Sequence, residues 1–296
     1  MRARVILARF FVGVLTCSPA GDSGSVLEVS YSEHSTVTRS AVSLVIPVFN
    51  GESLLAENLA LLESFFTGTD LTAEVIVVDD GSTDRTPEIL DRCSMAGLVV
   101  VRLPANRGKF AAIRAGMAVA RGGCRIFTDA DLPYDLDAIR YMAELILDQK
   151  FHIVVGDRTL AESELGADQP FLRRLSTRVF SFSVRMLVTG ELFDTQVGFK
   201  AFRGDVASLL FPLVTDDGFA GDVELLYVAL KYNLAIRRIP VRLLRTGPTT
   251  VSVAGHSLPM LRTIAGLRRR WARGGYDSPG LRQIADQRYW TPPIDE

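Results

Sequence analysis

No Gly-rich Walker loop and no G-x-G-x-x-G run occurs in the 296 residues. Their absence argues against a P-loop NTPase and against a Rossmann dinucleotide dehydrogenase. No segment reaches 18 consecutive apolar residues, so no transmembrane helix is expected. An excess of either charge is lacking too: 33 Lys and Arg stand against 34 Asp and Glu, for a net charge of −1. No global field draws the chain to nucleic acid or to a membrane, and local basic patches must carry any such role. Only Cys17, Cys93 and Cys124 represent cysteine, an odd count without metal-ligand spacing, which fits a reducing compartment. There is no internal repeat and no low-complexity tract.

What is present is an ordinary globular composition, 48% hydrophobic and 23% charged. The length allows a full α/β core in one large domain, or one domain with an appendage. Val5 to Cys17 is mostly apolar but interrupted by Arg9, too short to span a bilayer and broken as a signal-peptide core. Residues 1–38 are therefore expected to be a disordered extension outside the fold, with a cleaved signal as the alternative. The catalytic-type domain is placed at 39–256, and a basic amphipathic helix with a loose tail at 257–296.

From residue 41 strands and helices alternate. Apolar runs at 42–48, 74–79, 98–103, 124–128 and 152–156 are separated by helical patterns, including Leu55, Leu59, Leu62 and Phe66, and a helix over 135–148. This implies an α/β fold: a mainly parallel, doubly wound sheet with helices on both faces. Ligands of such sheets bind beyond the carboxyl ends of the strands. Three of those ends carry suitable chemistry: Pro47-Val48-Phe49-Asn50, Asp79-Asp80-Gly81-Ser82 and Asp129-Ala130-Asp131. Paired carboxylates one residue apart are hard oxygen ligands, suited to Mg²⁺ or Mn²⁺ held against a diphosphate. Asp-x-Asp also occurs by chance in exposed loops, and Asp-Gly-Ser is common turn chemistry; the joint placement raises both above that background.

Two further segments pair an apolar stripe with arginines. Over 171–189, Phe171, Leu175, Val179, Phe182 and Met186 line one stripe beside Arg174, Arg178 and Arg185. Over 258–273, Met260, Ile264, Leu267 and Trp271 share one face, with Arg262, Arg269 and Arg273 on another. Each reads either as a core-facing helix with solvated arginines or as a helix lying on a membrane surface.

The segments VSLVIPVFNGESL, EVIVVDDGSTDRT, NRGKFAAIRAG and FTDADLPYDLDAI resemble the GT-A domain of family-2 inverting glycosyltransferases. VVGDR, LRRLSTRVFSFSVRMLV, DTQVGFKAFRGDVA and GDVELLYVALKYNLAIRRIPVRL narrow the resemblance to the polyprenyl-phosphate branch, that of the dolichyl-phosphate β-glucosyltransferases and mannose synthases. It covers about residues 42–272, with the motifs in order, and DTQVGFK looks more like the glucosyl type. The resemblance implies that Pro47, Val48 and Phe49 line a base pocket and that Asp79 and Asp80 hold base and ribose. It implies that Asp129 and Asp131, with Ala130 between them, hold Mg²⁺ or Mn²⁺ on the diphosphate. It puts Lys109 on the nucleotide side, Arg158 and Arg174 near the acceptor phosphate, and Gln196 and Lys200 near the sugar and phosphates. Asp222 and Glu224 lie close to the active site, and Arg245 falls in a basic loop over the diphosphate. Three positions depart from the pattern: Gly51 where an acidic residue is usual (Glu52 follows it), Pro133 where mannose synthases place a further metal-ligating Gln, and Phe110 where many relatives have Gly.

The implied reaction is attack of a polyprenyl monophosphate on the anomeric carbon of a nucleotide sugar, UDP-glucose before GDP-mannose. It would run on the cytosolic face of a membrane, with the protein peripheral there and no nucleic acid involved. Rivals are a GT-A transferase with a soluble acceptor, a non-catalytic domain that binds nucleotide sugar or lipid, and a nucleotidyltransferase.

Overall fold

The structure is a computed structural model. It describes residues 11–15, 27–31, 41–160, 163, 197–218, 220–244 and 266–287. The strands are β1 (Phe11–Leu15), β2 (Leu27–Tyr31), β3 (Val42–Val48), β4 (Ala73–Asp79), β5 (Leu98–Arg102), β6 (Cys124–Thr128), β7 (Ile153–Asp157), β8 (Phe199–Arg203) and β9 (Ile236–Pro240). They form one sheet in the order β1-β2-β5-β4-β3-β6-β8-β7-β9. β3, β4, β5 and β6 pair in parallel, as do β7 and β9, while β2 and β8 run against their neighbours.

The helices are α1 (Leu55–Thr67), α2 (Thr86–Arg92), α3 (Lys109–Val119), α4 (Asp137–Leu147), α5 (Gly204–Leu210), α6 (Gly221–Lys231), α7 (266–272) and α8 (Pro279–Asp286). Every residue of β3 and β7 is buried, as continuous apolar runs covered on both sides must be. Alternate side chains feed two cores. Val45, Ile76, Val78 and Phe127 meet α3, α5 and α6 on one face. Leu44, Ile46, Val75 and Val77 meet α1 and α4 on the other. The result is three layers, with helices on both faces of the sheet.

Parallel register puts the carboxyl ends of β3 and β4 side by side, with Val48 opposite Asp79. β8 enters between β6 and β7 in the reverse sense, and Thr128 faces Phe199. The start of β8 therefore stands at the same edge as the end of β6, and Lys200 lies two residues from the Asp-x-Asp loop in space.

Three regions differ from the sequence reading. Phe11–Leu15 and Leu27–Tyr31, set outside the fold on sequence, stand in the sheet as β1 and β2, with Val29 fully buried. They cover an otherwise open edge of β5; their apolar character reflects strand pairing, which no local signal distinguishes from a leader. The expected loose tail from residue 274 contains α8: Ser278 caps it through the Leu281 N–H, Pro279 opens it, and Leu281 and Ile284 are buried. In α7, Leu267 is buried and Trp271 packs on Tyr227, Tyr232 and Tyr276, while Arg269 and, just beyond the helix end, Arg273 are exposed. Its apolar face is thus turned to the core. The expected helix over 171–189 lies outside the described residues.

His152 precedes β7 and is buried. Its Nδ1 accepts the Ala235 N–H at 2.9 Å, and its Nε2 has no hydrogen-bond partner. Burial, aided by the nearby Arg203 charge, pushes its pKa from 6.5 down to about 4. The unfolded chain therefore takes the proton first, and folding stability falls as pH drops through that window. Urea midpoints measured from pH 7 to 5 are expected to decline in the native protein and to flatten in His152→Gln; an identical slope in the variant would overturn this assignment.

Candidate functional site at the carboxyl edge of the sheet

The Asp79-Asp80 turn is the first component. Asp80 donates its own N–H to the Val48 carbonyl at 2.8 Å, tying β4 to β3. Its carboxylate accepts the Arg107 N–H at 2.8 Å and the Gly108 N–H at 2.9 Å. Burial pushes the Asp80 carboxyl above its ordinary value, although both N–H donors pull it down. Asp80 was expected to hold base and ribose; each of its oxygens also accepts one N–H of the turn before α3. Asp79 accepts the Ser82 N–H at 2.9 Å, closing its own turn.

Pro47 and Val48 are buried, while Phe49 is 47% exposed at the mouth of the edge. Asn50 accepts the Thr83 N–H at 2.8 Å, and Gly51 donates to Thr86 Oγ1 at 2.8 Å. Glu52 accepts the Arg85 N–H at 3.1 Å. The loops after β3 and β4 are thereby laced together, and Glu52 is part of that lacing.

Gly108 has φ +103°, and a Cβ there would stand 2.5 Å from the Asp217 carbonyl oxygen. That carbonyl accepts the N–H groups of Phe110 and Ala111 at 2.9 and 3.2 Å, so the first turn of α3 is capped by backbone from a remote loop. Phe110 is core: it stacks on Phe211 and fills the space above Gly221. The pinned turn aims Lys109 into the edge, where its ammonium ion-pairs with Asp129. Burial works to lower the Lys109 pKa, but the carboxylates of Asp129, Asp222 and Asp131 outweigh it and hold it above its ordinary value.

The Asp129-Ala130-Asp131 loop is fixed from both sides. Asn58 on α1, itself buried, donates to the Ala130 carbonyl at 2.7 Å. On the other side Gly198 lies against the Asp129 carboxylate, and a Cβ there would displace that carboxylate from its present position. Next to it Lys200, wholly buried, donates to Asp222 at 2.7 Å and to the Val197 carbonyl at 2.6 Å. Arg158 lies at the same edge, one residue beyond β7. Gln196, Arg174 and Arg245 lie outside the described residues.

Asp129 and Asp131 fit a divalent cation in donor type but supply only part of a shell. Among the described residues no group of three or more His, Cys, Asp or Glu could hold a metal alone. Mg²⁺ commonly takes one or two carboxylates and completes its octahedron with water and substrate phosphates. The pair suits that arrangement. Pro133, buried, offers no ligand and gives its carbonyl to the Leu244 N–H at 2.8 Å.

Glu224 was expected close to the active site. It is buried and accepts from the Thr215 and Asp216 N–H groups at 2.9 Å each and from the Tyr276 hydroxyl at 2.6 Å. Arg270 lies 3.5 Å away. Burial and then the Glu224 hydrogen bond push the Tyr276 hydroxyl pKa up, so it remains a donor. Glu224 therefore joins the C-terminal segment to the 215–217 loop, which in turn caps α3. Sequence reasoning missed Asn58, although a polar residue among Leu55, Leu59 and Leu62 on one helical face was a signal. It also missed the Asp217 carbonyl, for which the sequence carries none.

A model of the family described as glycosyl transferase family 2 matches residues 43–211. The chain is similar to the dolichyl-phosphate beta-glucosyltransferase of Dictyostelium discoideum, 28% identical over 79% of this chain and 75% of that protein. It is 37% identical to the protein of that name from Drosophila melanogaster over 68% of this chain, and spans 66% of that relative's length. Its fold matches a Mycobacterium tuberculosis glucosyl-3-phosphoglycerate synthase solved with Mn²⁺, UDP and glucosyl-3-phosphoglycerate, at TM-score 0.53 and 18% identity, covering 77% of this chain and 80% of that one.

Removing one member of the Lys200–Asp222 pair strands a buried charge. Lys200→Met is expected to lower stability by about 3–5 kcal/mol in urea titrations. Lys200→Met combined with Asp222→Leu should recover most of the loss. A single-variant cost under about 1 kcal/mol, the size of an exposed pair, would show that Asp222 does not depend on Lys200.

Proposed function

The chain belongs to glycosyltransferase family 2, and on that premise we propose that it moves a hexose from a nucleotide sugar to a polyprenyl monophosphate, with inversion. UDP-glucose is the favoured donor and GDP-mannose the alternative. The observation that carries this reading is the Asp129-Ala130-Asp131 loop beside Lys109, Lys200 and Asp222 at the carboxyl edge of the sheet. The relatives named dolichyl-phosphate beta-glucosyltransferase support the lipid-phosphate acceptor and the glucosyl group.

Asp129 and Asp131 would hold Mg²⁺ or Mn²⁺ between them and the diphosphate. A cation bound there would supply charge neutralisation for the departing nucleoside diphosphate. An oxygen of the acceptor phosphate forms the new bond to the anomeric carbon. The bond from that carbon to the nucleoside diphosphate oxygen breaks, and its electron pair leaves with the diphosphate. Attack from the opposite face inverts the centre. The second ionisation of a phosphate monoester lies near pKa ~6, so the acceptor oxygen is already anionic at neutral pH and no protein base is required.

The occupancy of the acidic residues favours this acceptor over a sugar hydroxyl. A hydroxyl acceptor would call for a carboxylate base within reach of its proton. Glu224 is spent on Thr215, Asp216 and Tyr276, and Asp222 is paired with Lys200. Catalysis then rests on positioning and on stabilising the leaving charge.

No described helix is long and apolar enough to cross a membrane. The exposed Arg269 of α7 and Arg273, just beyond its end, support peripheral attachment at a cytosolic face, where each basic side chain near an anionic surface contributes ~1 kcal/mol. Co-sedimentation with anionic vesicles at low salt, reversed at high salt, is the expected behaviour; a protein that stays in the supernatant at low salt would overturn it.

The activity test is transfer from radiolabelled UDP-glucose or GDP-mannose to a short polyprenyl phosphate with Mg²⁺ or Mn²⁺. A chloroform-soluble product abolished by EDTA is expected from one donor. Asp131→Asn should lower turnover by roughly 10²-fold or more even at saturating Mn²⁺. Near-native turnover in that variant would remove Asp131 from the metal site.

A further inference from the structure

Lys109 occupies an unusual place for a phosphate-binding lysine. Its backbone is clamped on both sides: Asp80 holds the N–H groups of Arg107 and Gly108, and the Asp217 carbonyl holds those of Phe110 and Ala111. Its ammonium ion-pairs with Asp129, one of the two carboxylates that suit a divalent cation. Close by, Lys200 neutralises Asp222. The protein therefore carries its own positive charge on a metal-ligand oxygen.

A cation on Asp129 and an ammonium on the same carboxylate repel each other at contact range. The turn is clamped but the Lys109 side chain is not, and its ammonium is the partner able to give way. A lysine has a flexible four-carbon stem and three rotatable donors, so it can change partner without moving its backbone. A nucleoside diphosphate arriving at this edge offers anionic oxygens as that new partner.

We propose that Lys109 is an exchangeable counter-ion: it holds Asp129 when nucleotide is absent and shifts to the diphosphate when nucleotide and cation bind, which makes the two bind cooperatively. The inference rests on the reading of the edge as a cation and nucleoside-diphosphate site, and it adds the order of events there. Coupling of this kind is reciprocal: UDP strengthens Mn²⁺ binding by the same factor by which Mn²⁺ strengthens UDP binding. Without donor, the resident ammonium competes with the cation for Asp129.

The test is equilibrium Mn²⁺ binding to the full chain, followed by the paramagnetic resonance signal of free Mn²⁺, with and without saturating UDP. Native protein is expected to bind Mn²⁺ weakly alone and at least about fivefold tighter with UDP. Lys109→Met should bind Mn²⁺ alone roughly tenfold tighter than native, with the gain from UDP reduced. Lys109→Arg, which keeps the charge, should behave like the native protein. Thermal unfolding checks that the variants fold, and Lys109→Gln replaces Lys109→Met if the apolar side chain disrupts the crevice.

Unchanged or weaker Mn²⁺ binding in both neutral variants, with native protein binding Mn²⁺ and UDP, overturns the exchange while leaving the glycosyltransfer reading intact. Failure of native protein to bind Mn²⁺ or UDP at all removes both.

Discussion

The arrangement at the carboxyl edge is governed by charge balance in a partly buried crevice. Asp129, Asp131 and Asp222 converge there with Lys109 and Lys200. Carboxylates brought this close repel unless cations stand among them. The two ammonium groups come from elements far apart in sequence, one at the start of α3 and one within β8. Insertion of β8 in the reverse sense between β6 and β7 is what delivers Lys200 next to Asp222 and Gly198 next to Asp129.

Several acidic residues that look chemical in sequence brace the frame around the edge. Asp80 grips the turn that aims Lys109, Glu52 joins two neighbouring loops, and Glu224 anchors the 215–217 loop. Each accepts hydrogen bonds from backbone N–H groups, a task for which an ionised carboxylate is well suited.

The C-terminal segment belongs to the same frame. Tyr276 donates to Glu224, its carbonyl accepts the Tyr232 hydroxyl at 2.7 Å, and Arg270 lies over its ring at 4.7 Å. Through Glu224 and the 215–217 loop, residues 266–287 reach the cap of α3 and hence Lys109. The arginines on the outer side of α7 and the aromatic residues on its inner side thus have separate tasks, one toward solvent and one toward the core.

The sequence by itself determined the βα order, the face on which ligands bind and the Asp129-Ala130-Asp131 loop. Strand periodicity, turn residues and carboxylate spacing are local properties, legible in a few consecutive residues. It also placed Lys109, Lys200 and Asp222 near the site, through motif resemblance. Only the tertiary structure decided which donors each carboxylate meets, because those donors are supplied from elsewhere: Arg107 and Gly108 for Asp80, Tyr276 for Glu224, Lys200 for Asp222. It likewise decided that Phe11–Leu15 and Leu27–Tyr31 extend the sheet and that α8 joins the core. Edge pairing and the burial of Leu281 and Ile284 need partners distant in sequence, and short segments with ordinary composition carry no local mark of those partners.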